Sequence, residues 1–183
     1  MHSVRIIAGR WRGRKVMFPD SAHLRPTPDR VRETVFNWLA PRIVGAHALD
    51  LFAGSGVLGF EALSRGAGRV ILVDSAPVVI KQLQQTKAIL VADTAEIIQT
   101  DALGWLQNAP INQPFNIIFL DPPFQLPLLL PCCEQLVTRG WLADNAVIYT
   151  EIPHDATITL PNSLNLLRDK VAGNVRYQLW EKP

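Results

Sequence analysis

The chain has 183 residues, of which 48% are apolar and 19% charged, and its formal net charge is +2. That balance describes one globular domain with room for a small appendage, able to bury roughly two-thirds of its unfolded surface without disulfides or a structural metal. It excludes a disordered chain and a collagen-like repeat. No apolar run approaches the roughly 18 residues of a membrane span, and the opening Met1-His2-Ser3-Val4-Arg5 lacks the order of a secretion signal, so a cytoplasmic protein is expected.

Val4–Ala8 and Lys15–Phe18 flank Gly9-Arg10-Trp11-Arg12-Gly13-Arg14 and predict a small ribbon with an Arg-rich tip. Arg25-Pro26-Thr27-Pro28 then introduces a helix, with Thr27 as N-cap, Pro28 at the first helical position and Asp29 in the first turn. Val31, Val35, Trp38 and Leu39 fall at i, i+4, i+7 and i+8 and give that helix one packing face, with Arg30, Glu33 and Asn37 on the others. Residues 1–42 carry nine Arg or Lys against three acids, whereas residues 43–183 carry nine against thirteen. A basic head of +6 therefore sits on a body of −4, and the division into residues 1–42 and 43–183 follows it. Eight of the nine head cations are Arg, the side chain suited to bidentate phosphate contacts, so the head points to a polyanion partner.

From residue 46 short apolar runs alternate with amphipathic stretches, the pattern of βαβ units on a parallel sheet. Strands are predicted at Ala46–Phe52, Arg69–Asp74, Ala95–Thr100, Phe115–Asp121 and Ala146–Glu151. Helices are predicted at about Val57–Arg65, Ala76–Leu90, Ala102–Asn108 and Leu126–Arg139. The tail departs from the pattern: Leu164–Val171 and Val175–Trp180, separated by Ala172-Gly173-Asn174, read as an antiparallel hairpin, which brings the mixed sheet to seven strands. The order of those strands is not readable from the pattern. Cys132 and Cys133 are adjacent in an apolar run and read as core. The four histidines show no metal-ligand spacing, so no metal is expected.

Asp50-Leu51-Phe52-Ala53-Gly54-Ser55-Gly56-Val57-Leu58-Gly59 runs from a strand through a glycine turn into a helix, the place where doubly wound folds hold nucleotides. Gly54 and Gly56 would let the backbone approach a ligand, and Gly59 would let helix and strand pack closely. Asp74 ends the next strand, twenty residues after Gly54, where a carboxylate can accept both hydroxyls of a ribose. That much fits a nicotinamide dinucleotide and S-adenosylmethionine alike. Asp50 tips the balance, because an acid beside the loop repels a pyrophosphate and welcomes an ammonium or sulfonium. Asp101 can cap the helix that follows it or accept from an adenine amine, and the two roles are compatible.

The fourth strand ends in Asp121-Pro122-Pro123-Phe124, the most informative segment of the chain. Prolines donate no backbone hydrogen bond, so this corner offers chiefly acceptors, the Asp121 carboxylate and the Pro122 carbonyl. Such a pair suits an exocyclic base amine, whose two hydrogens it would hold while the lone pair faces an electrophilic methyl group. Phe124 is placed to stack on the base.

Asp50-Leu51-Phe52-Ala53-Gly54-Ser55-Gly56 followed by Asp121-Pro122-Pro123-Phe124 resembles the S-adenosylmethionine-dependent amino-methyltransferases. Residues 5–15, residues 25–39, the Glu61–Ala67 end of the glycine-loop helix, Gly140-Trp141-Leu142-Ala143 and Lys170-Val171-Ala172-Gly173 narrow the resemblance to the RsmD family, over almost the whole chain. The resemblance implies an α/β, Rossmann-like class I methyltransferase fold with a seven-stranded mixed sheet and a small N-terminal basic β-ribbon and helix. It implies methyl transfer from S-adenosyl-L-methionine to N2 of guanine 966 of bacterial 16S rRNA, in the small ribosomal subunit or its assembly intermediate.

On that footing Asp50, Phe52, Gly54, Ser55 and Gly56 would hold the methionine end, Asp74 the ribose and Asp101 the adenine, with Thr27 and Arg30 closing over the cofactor. Asp121, Pro122 and Phe124 would hold the target amine and base, and Arg10, Arg12, Arg14, Lys15 and Arg32 would grip RNA. Rival readings are an amino-methyltransferase acting on adenine N6 or protein glutamine, a nicotinamide-dependent oxidoreductase using Gly54, Gly56 and Gly59, and a non-catalytic RNA-binding module. The specific head, the lack of a second substrate domain, and the joint presence of Asp50, Asp74 and Asp121 argue against these in turn.

Overall fold

The computed structural model describes residues 2–19, 27–124 and 127–183. Strands β1 (His2–Arg5) and β2 (Lys15–Phe18) pair antiparallel, with Arg5 opposite Lys15, and form the expected ribbon. The first strand ends at Arg5, three residues early, because the N–H groups of Ile7 and Ala8 turn onto the Glu61 carboxylate at 2.8 and 3.0 Å.

Helix α1 (Asp29–Leu39) follows, and its cap lies one residue later than expected: Pro28, in an extended conformation, is the N-cap, and its carbonyl accepts from Arg32 N–H. Thr27 is therefore not the cap. Its hydroxyl donates instead to Glu151 at 2.6 Å, satisfying a buried carboxylate that would be costly to leave without donors. Arg25 and Pro26, read as part of the helix entry, lie outside the described residues. Val31, Val35 and Leu39 are buried as their spacing predicts, joined by Phe36, while Trp38 is half-buried and stacks on Tyr177 at 5.4 Å.

The body alternates as predicted: β3 (His47–Asp50), α2 (Val57–Ser64), β4 (Arg69–Asp74), α3 (Pro77–Leu90), β5 (Ala95–Gln99), α4 (Ala102–Asn108), β6 (Phe115–Leu120), α5 (Leu129–Thr138), β7 (Leu142–Pro153), then the hairpin β8 (Asn165–Ala172) and β9 (Val175–Glu181). One end of the fifth predicted helix, Leu126, lies outside the described residues, and α5 begins at Leu129. Strand β7 starts four residues before its prediction. Its first part is broken by a register shift against β6 and by Asn145 at φ 58, a left-handed conformation that Asn tolerates and that an apolar pattern cannot register.

The seven-stranded sheet has the order β5-β4-β3-β6-β7-β9-β8, with β9 running antiparallel to both of its neighbours, β7 and β8. The order reverses at β3, which pairs with β4 on one side and β6 on the other. Alternate residues of these strands feed two cores. Ala48, Leu72, Ile117 and Phe119 pack with α1, α2 and α3, and that cluster extends into the ribbon through Ile6, Val16 and Phe18. Leu49, Ile71 and Ile118 pack with α4 and α5, where Cys132 and Cys133 are buried and burial pushes both thiols up and out of reactive range.

Candidate active site

A doubly wound sheet leaves a crevice beyond the carboxyl ends of its strands where the order reverses. A cavity of about 1070 Å³ occupies that position, lined by Asp50 and Asp74 at the ends of β3 and β4, by Asp121 just past β6 and by Glu151 two residues before the end of β7. One wall comes from the glycine loop, the other from the Asp121–Phe124 corner, and Thr27 and Pro28 of the head close one side.

On the loop wall each acid is tied to backbone amides. Asp50 is buried and accepts from the Gly59 N–H at 3.0 Å, so it anchors the first turn of α2. Asp74 accepts from Gly54 N–H at 3.0 Å with one oxygen and from Ala76 N–H at 2.9 Å with the other, tying the loop to the end of β4. Asp101 is exposed and caps α4 through Gly104 N–H at 2.7 Å, so its capping role is met; it also lines the cavity.

Burial pushes the Asp50 carboxyl up to about 8, Asp74 adds to the rise, and the Gly59 bond opposes it. A cationic ligand would reverse that rise, because an adjacent positive charge favours the ionised carboxylate. Asp74 keeps lone pairs beyond those its two amide donors use, enough for a diol. This set of acceptors therefore fits S-adenosylmethionine, which brings a cation and a ribose diol.

Phe52, Gly54 and Ser55 line the cavity, but Gly56 does not. Gly56 serves the turn: it has φ 75, and a Cβ there would stand 2.4 Å from Leu83 and 2.8 Å from Phe60. Gly59 serves close packing as expected, since a Cβ would lie 2.9 Å from Leu72. Arg30 is exposed on α1 and is not among the lining residues.

On the opposite wall Asp121 is half-buried, Pro122 buried and Phe124 46% exposed. Burial first, then the charges of Glu151 and Asp50, hold the Asp121 carboxyl well above the usual range. Glu151 is the residue that sequence reasoning missed. Its Oε1 accepts from Thr27 Oγ1 and from Tyr149 OH, both at 2.6 Å, and burial raises its carboxyl against those two bonds. The sequence did carry a signal: Glu151 ends a predicted strand in the same way as Asp74 and Asp121.

Of the expected RNA contacts, Arg10, Arg12, Arg14 and Lys15 are exposed on the ribbon, with Arg10 over the Trp11 ring at 4.0 Å and Arg14 donating to the Ile89 carbonyl. Arg32 is a correction. Its side chain is fully buried, bonded to Asp29 at 2.6 Å, Glu61 at 3.3 Å and the carbonyls of Thr27 and Arg5, so no part of it faces a nucleic acid. The head's charge made it look like a phosphate contact; its buried partner Glu61 decides otherwise.

A mixed sheet of this order, with acids around a cavity at its switch point, is the class I S-adenosylmethionine-dependent methyltransferase fold. Residues 4–181 match the family model described as Conserved hypothetical protein 95. The chain is 49% identical over 180 residues to Ribosomal RNA small subunit methyltransferase D of Escherichia coli K12, covering 98% of this chain and 90% of that one. It is 45% identical over 181 residues to the protein of the same name from Haemophilus influenzae, covering 97% and 93%. The solved structure of yhhF from Escherichia coli superposes with a TM-score of 0.91 at 47% identity, covering 99% of this chain and 98% of that one. The chain belongs to the ribosomal RNA small subunit methyltransferase D family.

Proposed function

We propose that the protein methylates the exocyclic N2 of one guanine, position 966, of 16S rRNA in the bacterial small ribosomal subunit or its assembly intermediate. The observation that carries this reading is the convergence of the Asp121–Phe124 corner with Asp50, Gly54 and Asp74 on one cavity. S-adenosylmethionine, when bound, supplies an electrophilic sulfonium methyl. Asp50 would face its ammonium or sulfonium charge, Asp74 its ribose and Asp101 its adenine, while Phe52, Ser55 and the Gly54–Gly56 turn shape the seat and Thr27 stands at its edge.

Asp121 and the Pro122 carbonyl would accept the two hydrogens of the guanine amine, and Phe124, exposed at the mouth, would stack on the ring. Held so, the amine lone pair is directed rather than spread into the ring, and the rate gain is one of positioning. A paired base cannot enter such a cavity, so the target must be splayed out of its stack. Arg10, Arg12, Arg14 and Lys15 would bind phosphates beside it, giving salt-dependent affinity with little sequence information. Arg30, exposed beside the site, would meet either cofactor or RNA. The reading puts the protein in the cytoplasm with its ribosomal substrate.

The test is transfer of labelled methyl from S-adenosylmethionine to small subunits from a strain lacking this activity. A single N2-methylguanosine in 16S rRNA supports the reading. Incorporation on another atom, or none despite cofactor binding, overturns the substrate.

A further inference from the structure

An acceptor pair such as Asp121 and the Pro122 carbonyl suits any exocyclic amine and so does not distinguish guanine from adenine. A second carboxylate lies beside it. Leu120 of β6 pairs with Thr150 of β7 in parallel register, so Asp121, the first residue past β6, comes close to Glu151 of β7, near enough for the Glu151 charge to act on it. Both line the cavity, next to Pro122 and Phe124.

Glu151 is held in a particular way. Thr27 Oγ1 and Tyr149 OH both donate to the same oxygen, Oε1, at 2.6 Å. One donor comes from the head and the other from two residues back on the same strand, so the carboxylate is fixed from two directions. Its other oxygen, Oε2, receives no donor among the described residues, although Glu151 is only 5% exposed. Glu151 lines the cavity, so an oxygen of its carboxylate that no protein donor occupies keeps its acceptor capacity for a ligand that enters there, and a base that donates to it is favoured over one that cannot.

Resting on the guanine-N2 reading, we infer that Glu151 is the specificity-determining residue of the site, its Oε2 accepting the N1–H of guanine beside the amine held by Asp121 and Pro122. Guanine carries a donor at N1 next to its amine. Adenine carries a bare acceptor there, so a carboxylate opposite it meets a lone pair and is repelled. Guanine offers three hydrogens to these two acids and one carbonyl. Burial raises both carboxyls, and the charge of Glu151 adds to the rise at Asp121; three hydrogens donated by the base would offset that rise, because hydrogen bonds to a carboxylate favour its ionised form.

The test uses the full chain and small subunits reconstituted with 16S RNA that carries either guanine or 2-aminopurine at the target position. 2-Aminopurine keeps the 2-amino group but has no hydrogen at N1. In single-turnover transfer the wild-type protein is expected to prefer guanine by at least about 10²-fold, the scale on which a site built around a hydrogen bond rejects an analogue lacking it. Glu151→Gln, whose amide can donate to a bare N1, is expected to slow transfer to guanine and shrink the preference to within a few-fold. If the variant slows both substrates equally and keeps the preference, Glu151 supports the site without reading the base and the inference is overturned. A wild-type protein indifferent to the two bases overturns it also. Should Glu151→Gln fail to fold, Tyr149→Phe leaves the acid but removes one of its two anchors; a several-fold drop in preference supports the inference and an unchanged ratio overturns it. Absence of transfer by wild type to any subunit is a separate result, since it removes the guanine-N2 reading itself and this inference with it.

Discussion

The two walls of the cavity are both acidic, but their acids are held differently. On the glycine-loop side Asp50, Asp74 and Asp101 each accept at least one backbone N–H, at 2.7 to 3.0 Å. On the opposite side no backbone donor among the described residues reaches Asp121 or Glu151, and the only donors there are the hydroxyls of Thr27 and Tyr149. Acids bound to amides build the loop as well as meeting a ligand, so their removal disturbs architecture. Acids without amide donors keep their acceptor capacity for a substrate. The first wall is a seat and the second a set of reading groups.

This contrast is sharpest in turnover. Asp121→Ala is expected to lower single-turnover methyl transfer by at least about 10²-fold, as misplacement of a reacting group does, while cofactor affinity measured by calorimetry stays within about threefold. A parallel fall in cofactor binding would erase the distinction between the walls. Asp74→Ala should do the reverse: it removes two charge-assisted bonds to a diol together with two amide bonds, so the cofactor Kd should rise by roughly 10². Unchanged affinity would remove Asp74 from the seat.

The next effect, up to about tenfold per pH unit, concerns protons. Because burial places the Asp50 carboxyl at about 8, the group is mostly protonated at neutral pH in the free protein, and a cationic ligand must displace that proton. Cofactor affinity should therefore rise with pH by up to about tenfold per unit between roughly 6 and 8, then level off, and Asp50→Asn should bind more weakly with a flat profile. Stability of the free protein runs the other way. The contribution of a protonated Asp50 is complete below about pH 4 and is lost as pH rises through about 8, so thermal denaturation should show a decline over that range that Asp50→Asn reduces. A pH-independent affinity in the wild-type protein would place the ligand's charge elsewhere.

The smallest effect lies outside both walls. Replacing Arg10, Arg12 and Arg14 together by Ala should weaken RNA binding several-fold and reduce the logarithmic salt slope by up to about 2, roughly 0.7 for each single-strand phosphate left without its cation. Cofactor affinity should not move. An unchanged slope would return the ribbon to ordinary solvated surface.

Much of the loop wall was legible because its chemistry is local. Asp50, Gly54 and Gly59 sit within ten residues, and Asp74 ends the next predicted strand, so strand, turn and helix could be read together. The Asp121 corner was legible because two prolines after an acid restrict what a strand end can offer. Glu151 was not, since its meaning depends on the β6–β7 register and on Thr27, a partner 124 residues away. Arg32 was misassigned for the same reason, its ion-pair partner Glu61 being 29 residues distant and invisible to a count of charge. Thr27 shows the limit of local rules: a good capping side chain in a good capping position was taken by a buried acid instead.

The seam between head and body has a bearing on how the protein can be altered. Glu61, in the middle of α2, receives Arg32 and the Ile7 and Ala8 amides from the head, Ser64 binds the Ala8 carbonyl and the Trp11 N–H, and Gly9 lies so near the Ser64 carbonyl that a Cβ would fall 1.8 Å from it. A ribbon of different origin would have to reproduce each of these fittings to seat at all. Residues 1–42 are thus a poor unit for transplantation, and a new RNA preference is more readily reached by changing the exposed tip residues than by exchanging the head.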